Sequence, residues 1–255
     1  MTDEQRRRFL GRALVAGSAA ALAGCNKLND SAGFKALLAK ADTPTDAALH
    51  ALTPEDALAR EFTEAEMSPV FKANGSKNPQ TPEYLALTAN GFADYRFKVS
   101  GLVRTPLELS LDQLRALPSR TQITRHDCVE GWSCIGKWKG VNLGRVLDLA
   151  GPLPAAKYVV FRCADDYGHN GGRYYESIYL REAYHPQSIL AYDMNDATLP
   201  IPHGAPLRVR LERKLGYKQA KYLLAVDLVD SLAGIGGGKG GYWEDSGNYI
   251  WHGGI

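Results

Sequence analysis

The alternation of apolar and polar positions predicts a chain of short strands interrupted by short helices. Residues 95–99 alternate with the period of two that marks a half-buried strand, and residues 121–124 read as another. Residues 158–162, 189–192, 207–211 and 222–229 are compact apolar runs of strand length. Helical patterns are fewer. Ser110 and Gln113 form a capping pair around a segment that carries Leu111, Leu114 and Leu117 on one face and stops at Pro118. Asn142 caps a helix that runs through Leu149 and ends at Gly151. In TPEDALAREF, Thr53 stands as N-cap, Pro54 as first helical residue and Asp56 as capping carboxylate, which predicts a helix there. Residues 68–84 hold Pro69, Asn74-Gly75, Pro79 and Pro82 and read as loop. The tail beyond Leu232 is glycine-rich but carries Tyr242, Trp243, Tyr249 and Trp251, and that much aromatic surface is expected to pack back on the domain. There are no repeats, and short strands mixed with short helices predict an α+β fold rather than a doubly wound sheet.

The start of the chain follows a different pattern. Arg6, Arg7, Arg8 and Arg12 precede or open an apolar run at residues 13–23, which is shorter than the roughly 20 residues needed to span a bilayer. A charged region, a short apolar region and small residues describe an export signal over residues 1–24. Arg6-Arg7-Arg8-Phe9-Leu10 resembles the twin-arginine motif, and Leu22-Ala23-Gly24-Cys25 resembles a bacterial lipobox that would anchor Cys25 through lipid. Residues 25–60 are then a tether and helical lead-in, and residues 61–255 the domain. The expected location is periplasmic or otherwise outside the cytoplasm. Twin-arginine cargo folds before it crosses, which raises the expectation of a cofactor.

Composition adds two restrictions. The 255 residues are 45% hydrophobic and 23% charged, ordinary for a globular protein. The net charge is +2, and the first 24 residues account for all of it. A neutral domain has no electrostatic footprint for nucleic acid. Of the four cysteines, Cys128, Cys134 and Cys163 remain if Cys25 carries lipid, and an odd count leaves at least one thiol unpaired within the chain.

Two segments carry candidate chemistry. The first is RHDCVEGWSCIGKWKGVNL, where Arg125, His126, Asp127, Cys128 and Glu130 cluster at the end of a strand. A thiol beside Arg and His is expected to have a depressed pKa. Three readings stand: a Cys128–Cys134 disulfide, a nucleophilic Cys128 with His126 as base, or a single thiolate donor to a metal cofactor held mainly by something else. Paired CxxC and CxxCH patterns are absent, which argues against zinc and c-type haem. The second segment runs from HGAPLR to GYKQAKYL and concentrates His203, Arg208, Lys218 and Lys221. Arg208, Lys218 and Lys221 are suited to surround a phosphate, with Gly204 and Gly216 admitting backbone amides. Neither a P-loop nor GxGxxG accompanies them.

The pairing of CVEGW with HGAPLR and, seven residues on, GYKQAKYL resembles the molybdopterin-binding domain of the sulfite oxidase family. The likeness covers roughly residues 60 to 255 and is nearest the exported single-domain branch, which includes periplasmic methionine-sulfoxide reductases. It implies a mixed-sheet α+β domain and a molybdenum–molybdopterin cofactor. Cys128 is then the metal ligand, and Asn74, Cys163, His203, Arg208, Gln219, Ala220 and Lys221 contact the pterin. At Cys163 the branch carries Thr, so a hydroxyl contact is lost. The implied activity is two-electron oxygen-atom transfer, with Glu130 first and His126 and Asp127 next as proton carriers. The sulfite enzymes carry an arginine-rich segment where this chain has Glu130 and Trp132, which favours a neutral S-oxide or N-oxide such as methionine sulfoxide. The alternatives are a sulfite-type dehydrogenase passing electrons to a cytochrome and a non-enzymatic anion-binding lipoprotein. The implied partners are a small-molecule or protein-bound oxide and a membrane or cytochrome electron donor. Trp132, Trp243, Tyr249 and Trp251 are candidate walls for an apolar substrate, and Cys134 is a buried thiol or half of a disulfide to Cys163.

Overall fold

The computed structural model divides into two units, Met1–Pro54 and Glu55–Ile255. It describes residues 56–167, 172–247 and 249–254, with Ser31, Gly33 and Pro54 besides. The export signal and the lipobox at Cys25 lie outside the described residues, as does most of the tether. Among the described residues, no helix is long and apolar enough to cross a membrane.

The second unit is built on two sheets. The first has the order β2-β1-β10-β5-β6, formed by β1 (Phe97–Gly101), β2 (Leu107–Leu109), β5 (Tyr158–Asp166), β6 (Arg173–Tyr179) and β10 (Leu223–Val229). It is mixed, because β1 and β10 run parallel while its other pairs are antiparallel. The second sheet has β3 (Ser119–Asp127), β4 (Ser133–Asn142), β7 (Ile189–Met194) and β8 (Ala197–Thr198) in that order, and β9 (Arg208–Arg210) also pairs with β7. One apolar cluster joins the sheets, with Phe97, Val99, Val159, Phe161, Val226 and Leu228 from the first and Val141, Leu190 and Val209 from the second. The fold is the α+β, mixed-sheet domain expected.

Five helices decorate the sheets among the described residues: α1 (Pro82–Ala89), α2 (Leu111–Ala116), α3 (Leu143–Ala150), α4 (Leu180–Ala183) and α5 (Tyr242–Gly247). The capping pair around α2 forms as read, with Ser110 accepting from the Gln113 amide and Gln113 accepting from the Ser110 amide. In α3, Leu143, Val146, Leu147 and Ala150 line the buried face, and Gly151 ends the helix at φ 67°. The Asn142 side chain accepts from the Arg145 amide at 3.3 Å and donates to the carbonyl of His185. Asn142→Ala should therefore cost about 1–2 kcal/mol. By differential scanning calorimetry Tm should fall by about 2–6 °C.

Two expectations fail, each for a tertiary reason. The helix read in TPEDALAREF is absent over residues 57–62. Gln187 takes that backbone instead, accepting from the Ala59 amide and donating to the Ala59 carbonyl, and Glu61 bridges to Thr124 at the edge of β3. The stretch read as loop ends in helix α1, with Thr81 as N-cap and Pro82 at the first position.

Candidate active site

Strands β3 and β4 pair in antiparallel register down to Asp127 opposite Ser133, so residues 128–132 close a hairpin. The Cys128 amide donates to the Trp132 carbonyl at 2.9 Å, and Gly131 turns the chain at φ 84°. The strand pairing thus presents the CVEGW segment as one tight loop with Cys128 at its base. Residues 67–81 run beside it, anchored where Ser68 exchanges two hydrogen bonds with Ile135.

The basic segment supplies the opposite side. A 3-10 turn at Ile201–His203 ends at Gly204, whose φ of 110° excludes a side chain and lets the backbone close on Lys221. Arg208 knits the motifs together, donating from Nη1 to the His203 carbonyl and from Nη2 to the Gln219 carbonyl. The Val209 amide donates to the Ala220 carbonyl at 3.0 Å. The Lys221 ammonium donates to the carbonyls of Asn74, Ser76 and Pro202, which ties the basic segment to the loop at residues 67–81.

Between these segments lies a cleft of about 230 Å³. Cys128, Glu130 and Asn74 line one side, and His203, Arg208, Gln219, Ala220 and Lys221 the other. The structure thus brings together eight of the residues expected at the metal, the pterin and the proton-transfer step, across 147 positions of chain. His126 and Cys163 are not among the lining residues. Cys163 is buried in the main core cluster, and the residue of its strand that reaches the cleft is Asp165. His126 packs behind the hairpin between Phe71 and Trp132, each ring 5.8 Å away. Its Nδ1 accepts from Arg210, so the ring is not a base for Cys128.

The electrostatics differ from the sequence reading. Burial pushes the Cys128 thiol up from its ordinary value, and the Glu130 charge adds to this. The Glu130 amide, Asn74 and Lys72 oppose the shift without reversing it. The expected depression by Arg125 and His126 fails because Arg125 pairs with Asp127 at 2.8 Å. Burial, reinforced by Arg210 and Arg208, holds the His126 pKa well below its usual value. Burial also brings His203 down to about 4, with Arg208 and Lys221 adding to it, so its imidazole is neutral. Asp165 rises to about 7 and Lys221 falls to about 7, each mainly through burial.

Cysteine chemistry is simplified. Cys128, Cys134 and Cys163 are all free thiols, which overturns both the Cys128–Cys134 and the Cys134–Cys163 disulfide readings. Cys134 sits under the loop at residues 67–81, accepting from the Lys72 amide at 3.5 Å. Lys218, expected near a phosphate, is instead fully buried between Glu176 and Glu244 at 2.8 Å from each. The aromatic tail does pack back: Trp243 and Tyr249 stack at 5.6 Å and line the cleft, whereas Trp251 packs on Tyr179 away from it.

Sequence reasoning missed Asp165, Tyr167 and Tyr174, which also line the cleft. Asp165 Oδ1 and Arg208 Nε are buried without a protein partner. An unmet acceptor and an unmet cationic donor in one cleft call for a ligand that offers both an N–H group and an anion. A pterin with its phosphate has that chemistry, and a soft thiolate beside it suits molybdenum. No three His, Cys, Asp or Glu side chains cluster to hold a metal by themselves among the described residues.

The fold and cleft define an oxidoreductase domain for a pterin-borne metal. Residues 84–233 match the oxidoreductase molybdopterin binding domain family, and the chain belongs to it. Over 249 residues, 98% of this chain and 87% of the relative, it is 39% identical to a protein of Azospira oryzae that carries the provisional name protein-methionine-sulfoxide reductase subunit YedZ1. It is 29% identical over 238 residues to the protein-methionine-sulfoxide reductase catalytic subunit MsrP of Ralstonia nicotianae, covering 89% of this chain and 69% of that one. The MsrP of Xanthomonas campestris pv. campestris is 37% identical over 144 residues, 53% of this chain and 45% of the relative. The cofactor of this oxidoreductase is molybdenum–molybdopterin.

Proposed function

We propose that this protein is the catalytic subunit of an exported sulfoxide reductase acting on methionine sulfoxide, free or within proteins. The overall reaction breaks the S–O bond, with two electrons from an external donor reducing the sulfur and two protons converting the oxygen to water. The donor is a membrane or cytochrome partner. Export by the twin-arginine route and lipid attachment at Cys25 place the enzyme at the periplasmic face; the leader pattern supports both. The relatives that carry the name of this activity support the substrate class.

The observation that carries the reading is the chemistry around the free Cys128 sulfur. Asn74 Nδ2 reaches both Cys128 Sγ at 3.7 Å and Glu130 Oε1 at 3.2 Å, and Trp132 Nε1 donates to Glu130 Oε2 at 2.9 Å. Those two hydrogen bonds, with Trp132 first, hold the Glu130 pKa below the usual carboxylate range. A carboxylate at the mouth repels sulfite and tolerates a neutral oxide. Nearby Trp243 and Tyr249 give the apolar part of such a substrate a surface.

The sulfur of Cys128 would hold molybdenum, and Arg208, Gln219, Ala220, Lys221, His203 and Asn74 the pterin. Bound there, the cofactor supplies the oxygen-atom chemistry. Arg208 and Lys221 offset the phosphate charge. Of the three expected proton carriers, Glu130 alone lines the cleft, and it moves protons at its carboxylate oxygens. Asp127 is spent on Arg125 and Ser133, and His126 on Arg210.

Elemental analysis and steady-state assays on the native holoenzyme test the proposal. About one molybdenum per chain is expected, with turnover on methionine sulfoxide exceeding that on sulfite at least about tenfold. Turnover on sulfite alone would replace this reading with the dehydrogenase one.

A further inference from the structure

Reduction of a neutral sulfoxide is favoured by a group that recognises the oxygen end of the S–O dipole. Among the described residues, three cationic side chains line the cleft: Lys72, Arg208 and Lys221. The Lys221 ammonium donates to three carbonyls. Both terminal nitrogens of Arg208 are given to carbonyls, and its Nε is buried among groups suited to the pterin. Asn74 is spent between Cys128 and Glu130.

Lys72 is different. Its ammonium stands 4.6 Å from the centre of the Trp132 ring and 3.8 Å from Glu130 Oε2, beyond hydrogen-bond length. The ring and the carboxylate draw the charge of this half-exposed side chain toward the cleft without consuming its N–H donors. Lys72 and Cys128 line the same cleft, and the Glu130 that draws the ammonium shares the Asn74 amide with the Cys128 sulfur, so the charge lies on the sulfur's side of the cleft. The backbone under it is also fixed, because the Lys72 amide donates to Cys134 Sγ.

We infer that Lys72 is a catalytic residue that donates a hydrogen bond to the sulfoxide oxygen, with Trp132 and Glu130 as its positioning residues. The inference rests on the sulfoxide-reductase reading and deepens it. The S–O oxygen carries partial negative charge that grows as the bond to sulfur breaks and the sulfur gains its two electrons. A fixed ammonium there stabilises the transition state more than the ground state. Lys72 keeps its proton through the reaction, and the two protons of the product water come from solvent by way of the Glu130 carboxylate. The same geometry weakens the hold on the reduced sulfide, whose sulfur no longer carries the oxygen that the ammonium binds.

The test compares wild type, Lys72→Met and Lys72→Arg holoenzymes, with a reduced dye as electron donor. Lys72→Met should lower kcat/KM for methionine sulfoxide about tenfold to hundredfold, the scale of one lost charged hydrogen bond. Molybdenum content should be unchanged, and Lys72→Arg should recover most of the loss. Competitive inhibition by the sulfide product, which has no oxygen on its sulfur, should stay within about twofold. Retention of full kcat/KM in Lys72→Met, loss of molybdenum from it, or an equal loss of sulfide binding would each overturn the inference. A molybdenum-replete wild type with no sulfoxide turnover would instead overturn the reading beneath it, and the inference with it.

Discussion

Cys128→Ser is expected to abolish turnover, by on the order of a thousandfold or about 4 kcal/mol of barrier, while the protein stays folded. The thiol is half-buried at the base of a hairpin whose shape comes from backbone bonds between Cys128 and Trp132 and from the β3–β4 pairing. Its only hydrogen bond to a side chain among the described residues is the weak one from Asn74 at 3.7 Å. Serine keeps that geometry, so Tm should move by no more than about 2 °C. What it removes is a soft, ionisable sulfur; an alcohol oxygen is hard and stays protonated at neutral pH. Steady-state turnover, molybdenum content and a melting curve on the same preparation check this. Full turnover in the variant would falsify the metal-ligand role of Cys128.

The largest stability effect is expected from Lys218→Met. Lys218 is 1% exposed and is the common partner of Glu176 and Glu244, both fully buried. Glu176 Oε2 and Glu244 Oε2 already lack partners. Removing the ammonium leaves two like charges in the core, at a cost of about 3–5 kcal/mol, or a Tm lower by about 10 °C or more. The pH dependence has a definite sign. Burial raises the Glu176 pKa well above its ordinary value, and the Glu244 charge adds to this while Lys218 opposes it. A carboxyl raised in the fold stabilises it below the unfolded value, near pH ~4, and loses that contribution as pH rises through the folded value. With Lys218 gone, a proton can partly replace it. The deficit of the variant should therefore be smallest in acid and widen toward pH 8. Urea titrations at several pH values measure this, and a deficit that shrank with rising pH would contradict the charge assignment. The cluster also holds α5, which carries Trp243 in the cleft wall, so cofactor retention should weaken along with stability.

The strands the sequence missed share one physical cause. In β4 the positions turned inward are Cys134, Gly136, Trp138 and Gly140, and glycine carries no hydrophobic signal. Gly140 is required there because a Cβ would lie 2.1 Å from the Leu190 carbonyl oxygen across the β4–β7 pairing. In β6 the buried positions include Glu176, which reads as surface until Lys218, 42 residues away, supplies its counter-charge, and Ser177, whose hydroxyl is taken up by the Gly240 carbonyl and Trp251. The helix read at the lead-in failed because Gln187 captured its backbone from 128 positions away. By contrast, α2 and α3 formed as read because their caps and apolar faces lie within a single turn or two of chain.

The site divides along the same line. CVEGW and HGAPLR with GYKQAKYL are short stretches whose residue types are legible where they stand, and so the sequence alone was enough for the family and the cofactor. Whether a residue faces the cleft depends on contacts that close long loops. Cys163 and Asp165 are two positions apart on one strand, and the packing of β5 against β10 turns the first into the core and leaves the second in the cleft. His126 was deprived of an acid–base role by Arg210, 84 residues on, and Lys72 acquired its position from Trp132 and Glu130 across a hairpin. Residue chemistry is a local property of the chain, whereas burial, partner and protonation belong to distances that exist only once the two sheets have packed.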